Sequence, residues 1–248
     1  MCETCGCTPL ARSKVYEFIS AAFSYPDAAL VDLLEGLLPD TRESLSHLED
    51  RSSLEALEEL SQAITWRTSE DLETEYVQTF GHTISKECPP YEAEYDQSHI
   101  FQKSQNLADI AGFYSAFGLQ LSPDLNDRMD NLSVELEFMH VLCVKEAYAL
   151  DKGHTVEQLT ITRDAQTKFL REHLGRWSFA FVEKLQNMHG NNFYGLTGQM
   201  LKVFLAFDMH ALGVEPVELI SPDLMESSEE EMPDCEACPL AGAVDGGG

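Results

Sequence analysis

The chain contains 248 residues, and its 43 acidic side chains outnumber its 16 basic ones to give a net charge of −27. A nucleic-acid-binding protein must neutralise phosphates, so this charge argues against that class and favours a basic partner. No apolar run reaches the roughly 18 residues that span a membrane, and the N-terminus lacks the basic and apolar regions of a secretory signal. We therefore expect a cytoplasmic protein.

Apolar residues recur at intervals of three and four along the first third of the chain, a pattern that predicts helices and no strands. The first helix covers residues 15–23, and the second opens at residues 26–27. Pro39 is expected to end the second helix, because proline breaks helix interiors. A third, short helix contains residues 45–48, and a fourth runs from Leu54 to Ile64 and ends near Trp66.

A pair of prolines divides the middle of the chain. Pro89 and Pro90 fix their own φ angles and push the preceding residues out of the helical region, so an extended loop should separate two helices. Such an exposed loop is a surface that can recognise a partner. Its candidate recognition residues are Tyr91, Glu92, Glu94 and Tyr95. The helix after the loop is expected at about residues 98–117.

Helical spacing also dominates the second half of the chain. A long helix begins at Leu132, keeps apolar residues on one face for about five turns, and ends at residues 151–153. Residues 155–189 form one helix or two, with Gly175 as the weak point. A turn at residues 189–192 precedes the last helix, which begins at Phe193.

These patterns predict a single all-α domain, a bundle of about nine to ten helices, at residues 13–213. A cysteine-rich segment, residues 1–12, should precede it. Residues 214–248 form an acidic tail with prolines and terminal glycines, which we expect to be largely disordered.

Five of the seven cysteines lie in the terminal segments: Cys2, Cys5, Cys7, Cys235 and Cys238. Two cysteines separated by two residues can bind one metal ion, and two such units complete a tetrahedral site if the chain ends meet. One interpretation is therefore a zinc ion or an iron–sulfur cluster. The alternative is two segments with reduced thiols, because closing a loop between distant ligands costs entropy.

No motif indicates catalysis. Glu137 and His140 have the Glu-x-x-His spacing of di-iron bundles, but such a site needs a second motif and two further glutamates. We interpret both as polar residues at the surface or at an interface.

His173 lies one turn before Trp177 and should pack on it. The sequence identifies no partner with which His173 could bind a metal. The chain also lacks nucleophile-elbow and phosphate-loop motifs, so we do not expect an enzyme.

Four stretches carry a resemblance to a known family. They are Tyr76-Val77-Gln78-Thr79-Phe80-Gly81, Pro90-Tyr91-Glu92, residues 107–118, and residues 127–139. Together they resemble the TorD/NarJ family of redox-enzyme maturation chaperones, which are all-helical, cytoplasmic and not enzymes. In the last stretch Asp127, Met129 and Asn131 replace the family's glutamate, proline and histidine. The likeness extends more thinly over residues 13–213.

The resemblance implies a client-binding groove between the first two stretches and the last. The residues that it carries over as client contacts are Tyr76, Thr79, Phe80, Pro90, Tyr91, Glu92, Asp127, Asp130, Asn131 and Glu135. Asp127 and Asp130 would meet the arginines of a client's leader, because a carboxylate and a guanidinium form two parallel hydrogen bonds. Alternatively, one of these aspartates only caps the following helix, and the aromatic residues belong to the core.

The family implies a system-specific chaperone that needs no cofactor for binding. Its client would be the molybdenum-containing catalytic subunit of a dimethyl-sulfoxide-reductase-type enzyme, held by its twin-arginine leader or by the apoenzyme until the cofactor is inserted and before export. The sequence is compatible with either a monomer or a dimer. The rival class is a sensor or regulator that binds zinc or an iron–sulfur cluster through the terminal cysteines.

Overall fold

The computed structural model describes residues 7–81, 88–95, 100–122 and 127–215, which form an all-α domain. Its helices are α1 Cys7–Phe23, α2 Leu30–Leu48, α3 Arg51–Thr65, α4 Ser69–Phe80, α5 Ile100–Ala116, α6 Leu132–Asp151, α7 Val156–Phe169, α8 Gly175–His189 and α9 Phe193–Leu212. A 3-10 turn, Glu92–Glu94, precedes α5, and a π-helical turn, Leu170–Leu174, joins α7 to α8. The all-α class is confirmed. Helices α7 and α8 are continuous through the π-helical turn. If they are counted as one, the described residues contain eight separate helices, slightly fewer than the nine to ten predicted.

Helix α1 lies at the centre of the fold, where it packs against α2, α6 and α9. Its inward face is fully buried and consists of Val15, Tyr16, Phe18, Ile19 and Ala22. Helix α9 also packs against α3 and α8. Apolar residues from all nine helices join in one core, so the described residues form the predicted single domain.

Polar side chains explain where several helices begin. Asp50, Thr68, Asn131, Thr155 and Asn192 each accept a hydrogen bond from a backbone N–H of the following first turn. Such caps satisfy donors that have no partner inside the helix. Helices α6 and α9 therefore begin where the sequence predicts.

Pro39 does not end α2, contrary to the prediction. The helix continues through Pro39 to Leu48 and includes the segment expected to form a separate short helix. Proline removes one backbone hydrogen bond, whose acceptor here would be the carbonyl of Glu35. Glu35 and Pro39 are both exposed, so water can satisfy that carbonyl while Leu34 and Leu45 stay in the core.

The predicted weak point at Gly175 coincides with a change in helical geometry, because the π-helical turn ends there and α8 begins. A Cβ atom at this position would collide with the carbonyl oxygen of Leu170 and lie 2.8 Å from Sδ of Met209. Glycine therefore allows the close approach of α8 to α9.

Some predictions concern residues outside the described ranges, namely the tail beyond residue 215 and four of the terminal cysteines, Cys2, Cys5, Cys235 and Cys238. Helix α1 begins at Cys7, inside the segment expected to precede the domain. The division into three segments stays a prediction.

Among the described helices, none is long and apolar enough to cross a bilayer.

Candidate functional site

Two of the stretches that carry the family resemblance pair directly with each other. Tyr91 and Asn131 form an isolated antiparallel bridge, which is flanked by backbone hydrogen bonds of 2.9 and 3.0 Å. Forty residues of sequence separate these two partners, so only the fold brings them together. We call residues 90–93 and 127–132 the bridge segments.

The bridge corrects the expectation of a wholly exposed loop. Of the four side chains proposed for recognition, Glu92 and Tyr95 are only 2% and 6% exposed. Tyr91 is half-buried, and Glu94 is exposed. The prolines do lead into extended backbone at Tyr91, but pairing with residues 130–132 then holds this segment against the helical body.

The solvent side of the bridge carries an aromatic and acidic surface. Asp127 accepts a hydrogen bond from Nδ2 of Asn131 at 2.8 Å. Burial, followed by the charge of Asp127, raises the pKa of both Tyr91 and Tyr76. The Tyr25 ring packs edge to face on Tyr76, with 5.2 Å between ring centres. We call Tyr25, Tyr76, Tyr91 and Asp127 the outer surface.

Arg128 lies beside the outer surface and pairs with Asp130. Its Nε and Nη2 donate to Oδ1 and Oδ2 of Asp130 at 2.8 and 2.7 Å. Its Nη1 donates to Oε1 of Glu94 at 3.2 Å, and the guanidinium carbon lies 4.5 Å from the centre of the Tyr91 ring. Both oxygens of Asp130, a predicted partner for a client's arginine, are thus bonded to the chain's own arginine.

Asn131 caps α6, so the alternative that Asp127 or Asp130 is the cap is wrong. The Oδ1 atom of Asn131 accepts a hydrogen bond from Ser133 N at 2.8 Å. Asp130 instead accepts one from Ala93 N at 3.1 Å, across the bridge. An asparagine can cap a helix as well as an aspartate, which leaves both carboxylates available for other contacts.

A cluster of buried acids with one histidine lies beneath the bridge. Glu92 contacts Nδ1 of His173 at 3.1 Å, and Nε1 of Trp177 donates to Oε2 of Glu135 at 3.0 Å. The second ring nitrogen of His173 lies 3.2 Å from Oδ2 of Asp109. Burial, and then the charge of Glu92, raises the pKa of Glu135 well above its ordinary value. We call Glu92, Glu135 and His173 the buried acid cluster.

The residues of α4 predicted to line a groove divide between surface and core. Thr79 is buried, and its hydroxyl donates to the carbonyl oxygen of Glu75 at 2.8 Å. Phe80 is buried against Tyr194, with 5.0 Å between ring centres. Of the ten predicted client contacts, only Tyr76, Tyr91 and Asp127 are partly exposed in this structure. Client contact stays a prediction for all ten.

Two clefts of about 320 Å³ each flank the first turns of α6. The first lies between the end of α1 and the start of α2 and is lined by Tyr25, Leu30 and Leu33. The second lies between α5 and α6, against Phe138. Tyr25 belongs both to this first cleft and to the outer surface, so the two adjoin. The leucines of the cleft extend the outer surface with apolar side chains.

Glu137 and His140 behave as the polar residues that the sequence suggests. Glu137 is exposed, whereas Nδ1 of His140 lies 2.9 Å from the carbonyl oxygen of Ser13 at the interface of α1 and α6. In the described ranges, no three histidine, cysteine or acidic side chains converge in a way that could hold a metal ion.

A second buried network of charges joins the first and last helices. Nη2 of Arg12 donates to Oδ2 of Asp208 at 2.9 Å, and the hydroxyl of Tyr16 donates to the same oxygen at 2.7 Å. Arg12 lies five residues after the start of α1, and Asp208 four residues before the end of α9. The start of α1 and the end of α9 therefore lie close together.

The described residues form an all-helical domain that carries an aromatic and acidic surface at the bridge. A family model described as nitrate reductase delta subunit matches residues 48–183, which is more than half of the chain. The chain belongs to this family, and the TorD/NarJ resemblance is confirmed.

Three relatives show what this family contains. Chaperone protein TorD of Vibrio cholerae is 25% identical over 209 residues, which cover 81% of this chain and 91% of that protein. The perchlorate reductase assembly chaperone protein of Dechloromonas aromatica is 29% identical over 175 residues, covering 68% and 75%. The selenate reductase assembly chaperone protein of Thauera selenatis is 28% identical over 179 residues, covering 72% and 78%. The chain is therefore a chaperone and not an enzyme.

Two residues that contribute to the site, Arg128 and Asp109, were not predicted from the sequence. Arg128 stands between Asp127 and Asp130, and its proximity to both acids is a local signal in the sequence. The partners of His173 carry no such signal, because Asp109 and Glu92 lie 64 and 81 residues away in sequence. The ring N–H of Trp177, the residue expected to pack on His173, donates a hydrogen bond to Glu135.

Proposed function

We propose that the chain is a cytoplasmic chaperone for the molybdenum-containing catalytic subunit of a dimethyl-sulfoxide-reductase-type enzyme. It would hold the subunit by a twin-arginine leader, or by a neighbouring surface of the apoenzyme, until the cofactor is inserted and the client is ready for export. The names of its relatives support this proposal, since they include assembly chaperones of perchlorate and selenate reductases.

The observation that carries the proposal is the outer surface and the cleft that continues it. A leader's arginine can pair with Asp127 and stack on the ring of Tyr91. The apolar residues that follow can lie in the cleft beside Tyr25 and Leu33, each of which is 49% exposed. The net charge of −27 would speed the encounter with a basic segment.

The first prediction concerns binding of a synthetic peptide that has two adjacent arginines followed by a ten-residue helix of leucine and alanine. Tyr91→Ala and Asp127→Asn should each weaken its binding about tenfold, or about 1.4 kcal/mol, because each removes one contact to a guanidinium. Fluorescence anisotropy of the labelled peptide measures the affinity. The association rate should also fall as salt is raised from about 0.05 to 0.5 M.

Matched controls lie at the opposite end of α6, where Tyr148 and Asp151 are also exposed. Tyr148→Ala and Asp151→Asn make the same chemical changes away from the outer surface, and they should leave the affinity unchanged. If all four variants bind equally well, the outer surface is not the binding site. Peptide binding whose rate ignores ionic strength would contradict the electrostatic part of the proposal.

A metal bound by the terminal cysteines is a separate proposal. It is supported by the Cys-x-x-Cys spacing and by the neighbouring ends of α1 and α9. Protein purified without oxygen should then carry near-stoichiometric zinc or show iron–sulfur absorption, and joint replacement of Cys235 and Cys238 by serine should remove it. Metal-free protein would contradict the proposal. If the variant loses metal but still binds the peptide, the metal is not required for the chaperone function.

A further inference from the structure

Arg128 is held in the way that a binding site holds an arginine from another molecule. Two parallel hydrogen bonds join it to Asp130, a third reaches Glu94, and the ring of Tyr91 covers one face of the guanidinium. A carboxylate fork with an aromatic face is the arrangement that recognises guanidinium rather than ammonium groups.

The other arginine pairs of the described residues lack this combination. Arg42 also forms a two-bond fork, with Glu58, and its side chain is 43% exposed, as is that of Arg128. No aromatic ring covers it, and Glu58 is itself exposed. Of the described two-bond forks that Arg12, Arg42 and Arg128 form with carboxylates, that of Arg128 is the one whose guanidinium lies over an aromatic ring.

The carboxylate that Arg128 contacts needs a permanent partner. Asp130 is completely buried, whereas much of the Arg128 side chain faces solvent. A buried carboxylate that loses its cation is strongly destabilising, so a site built for an incoming arginine must contain a cation while it is empty of client. Arg128 supplies that cation from the chain itself.

Departure of the Arg128 side chain need not open the bridge. The two bridge segments are joined by backbone hydrogen bonds, and Asp130 keeps its bond from Ala93 N whether or not Arg128 is present. An external guanidinium could therefore replace that of Arg128 between Asp130 and Tyr91 while the backbone stays in place.

From these contacts we infer that Arg128 is an internal surrogate ligand, which occupies a guanidinium site in the free protein and is displaced by an arginine of the client. The inference rests on the proposed function of the outer surface. It adds a regulatory step, because a client must compete with Arg128. The apparent affinity is then lowered by the fraction of molecules in which the site is open.

The test uses the two-arginine peptide on the full chain and its variants. Arg128→Ala should bind the peptide at least about tenfold more tightly than the wild type, because its site is always open, whereas that of the wild type is open in at most about a tenth of the molecules. Arg42→Ala removes the same charge from an equally exposed fork, so it corrects for the general attraction of a more acidic protein. Arg128→Lys, which keeps the charge but loses the fork, should lie between the wild type and Arg128→Ala.

A small guanidinium compound provides a second measurement. Ethylguanidinium should raise the melting temperature of Arg128→Ala and compete with the peptide for it. It should do neither for Arg42→Ala. This result would show directly that the space left by Arg128 accepts a guanidinium from solution.

Each outcome is decisive. If the wild type binds the peptide and Arg128→Ala binds it no more tightly than Arg42→Ala, Arg128 belongs to the binding platform, and the inference fails while the proposed function stands. If the wild type, Arg42→Ala and Arg128→Ala all fail to bind, the inference and the proposed site fall together. If Arg128→Ala does not fold, Arg128→Lys decides the question, and affinity no higher than that of the wild type overturns the inference.

Discussion

Replacement of Asp208 by alanine should lower the free energy of unfolding by about 3–5 kcal/mol, because it leaves Arg12 buried without its main partner. Asp208 is completely buried, and Arg12 and the hydroxyl of Tyr16 both donate to it. Burial, the largest single influence, would lower the pKa of Arg12, but the charge of Asp208, its hydrogen bonds and the other neighbouring groups together outweigh burial, so the pKa is raised. Arg12 cannot become neutral by losing its proton, so it stays charged in the variant. The α1–α9 interface must then either open to water or be strained.

Urea unfolding followed by circular dichroism measures this loss, and Asp151→Ala is the matched control. Asp151 pairs with Lys152 at the surface, so its removal should leave stability almost unchanged. The double variant Arg12→Ala, Asp208→Ala should lose less than the sum of the single variants, because it no longer contains an unpaired buried charge. A loss below about 1 kcal/mol for Asp208→Ala would contradict the role assigned to this network.

Replacement of Glu135 by glutamine should change how stability depends on pH. Burial, followed by the charge of Glu92, raises the pKa of Glu135 in the folded protein. Between the unfolded and folded pKa values the folded state holds a proton that the unfolded state has lost. Stability should therefore be highest below the unfolded pKa and fall as pH rises toward the folded pKa, by up to about 1.4 kcal/mol per pH unit.

Glutamine resembles the protonated acid in shape and cannot ionise, so Glu135→Gln should remove this decline. The measurement is the free energy of unfolding at several values between pH 5 and 8, and the gain from the substitution should grow with pH. Glu137→Gln, two residues further along α6 and exposed, makes the same change in net charge without burial. Parallel pH profiles for the wild type and Glu135→Gln would show that Glu135 ionises normally.

The helices were predictable because their signals are local. The apolar stripe of α6 and the caps Asn131 and Asn192 involve residues within about four positions of each other, which is the range of helical hydrogen bonds and side-chain neighbours. Pro39 shows the limit of such reasoning. Its local preference is to stop a helix, but burial of Leu45 and Leu48 on the same helix as Leu34 outweighs one lost hydrogen bond that water can replace.

The candidate site was predictable only in part. The family resemblance directed attention to Tyr91, Asp127 and Asp130, and the structure brings all three together at the bridge. The family resemblance did not distinguish exposed side chains from buried ones. Neighbouring residues of extended backbone point to opposite sides, so Tyr91 reaches the outer surface while Glu92 enters the core.

The sequence by itself determined that this protein is acidic, all-helical and a member of a chaperone family, because composition, helical spacing and short motifs are properties of the chain alone. Tertiary structure decided which charges meet. Arg12 and Asp208 are 196 residues apart, and Glu92 and His173 are 81 apart. No pattern of three or four residues encodes such pairs, since they depend on how whole helices pack, and burial then gives ordinary carboxylates their altered chemistry.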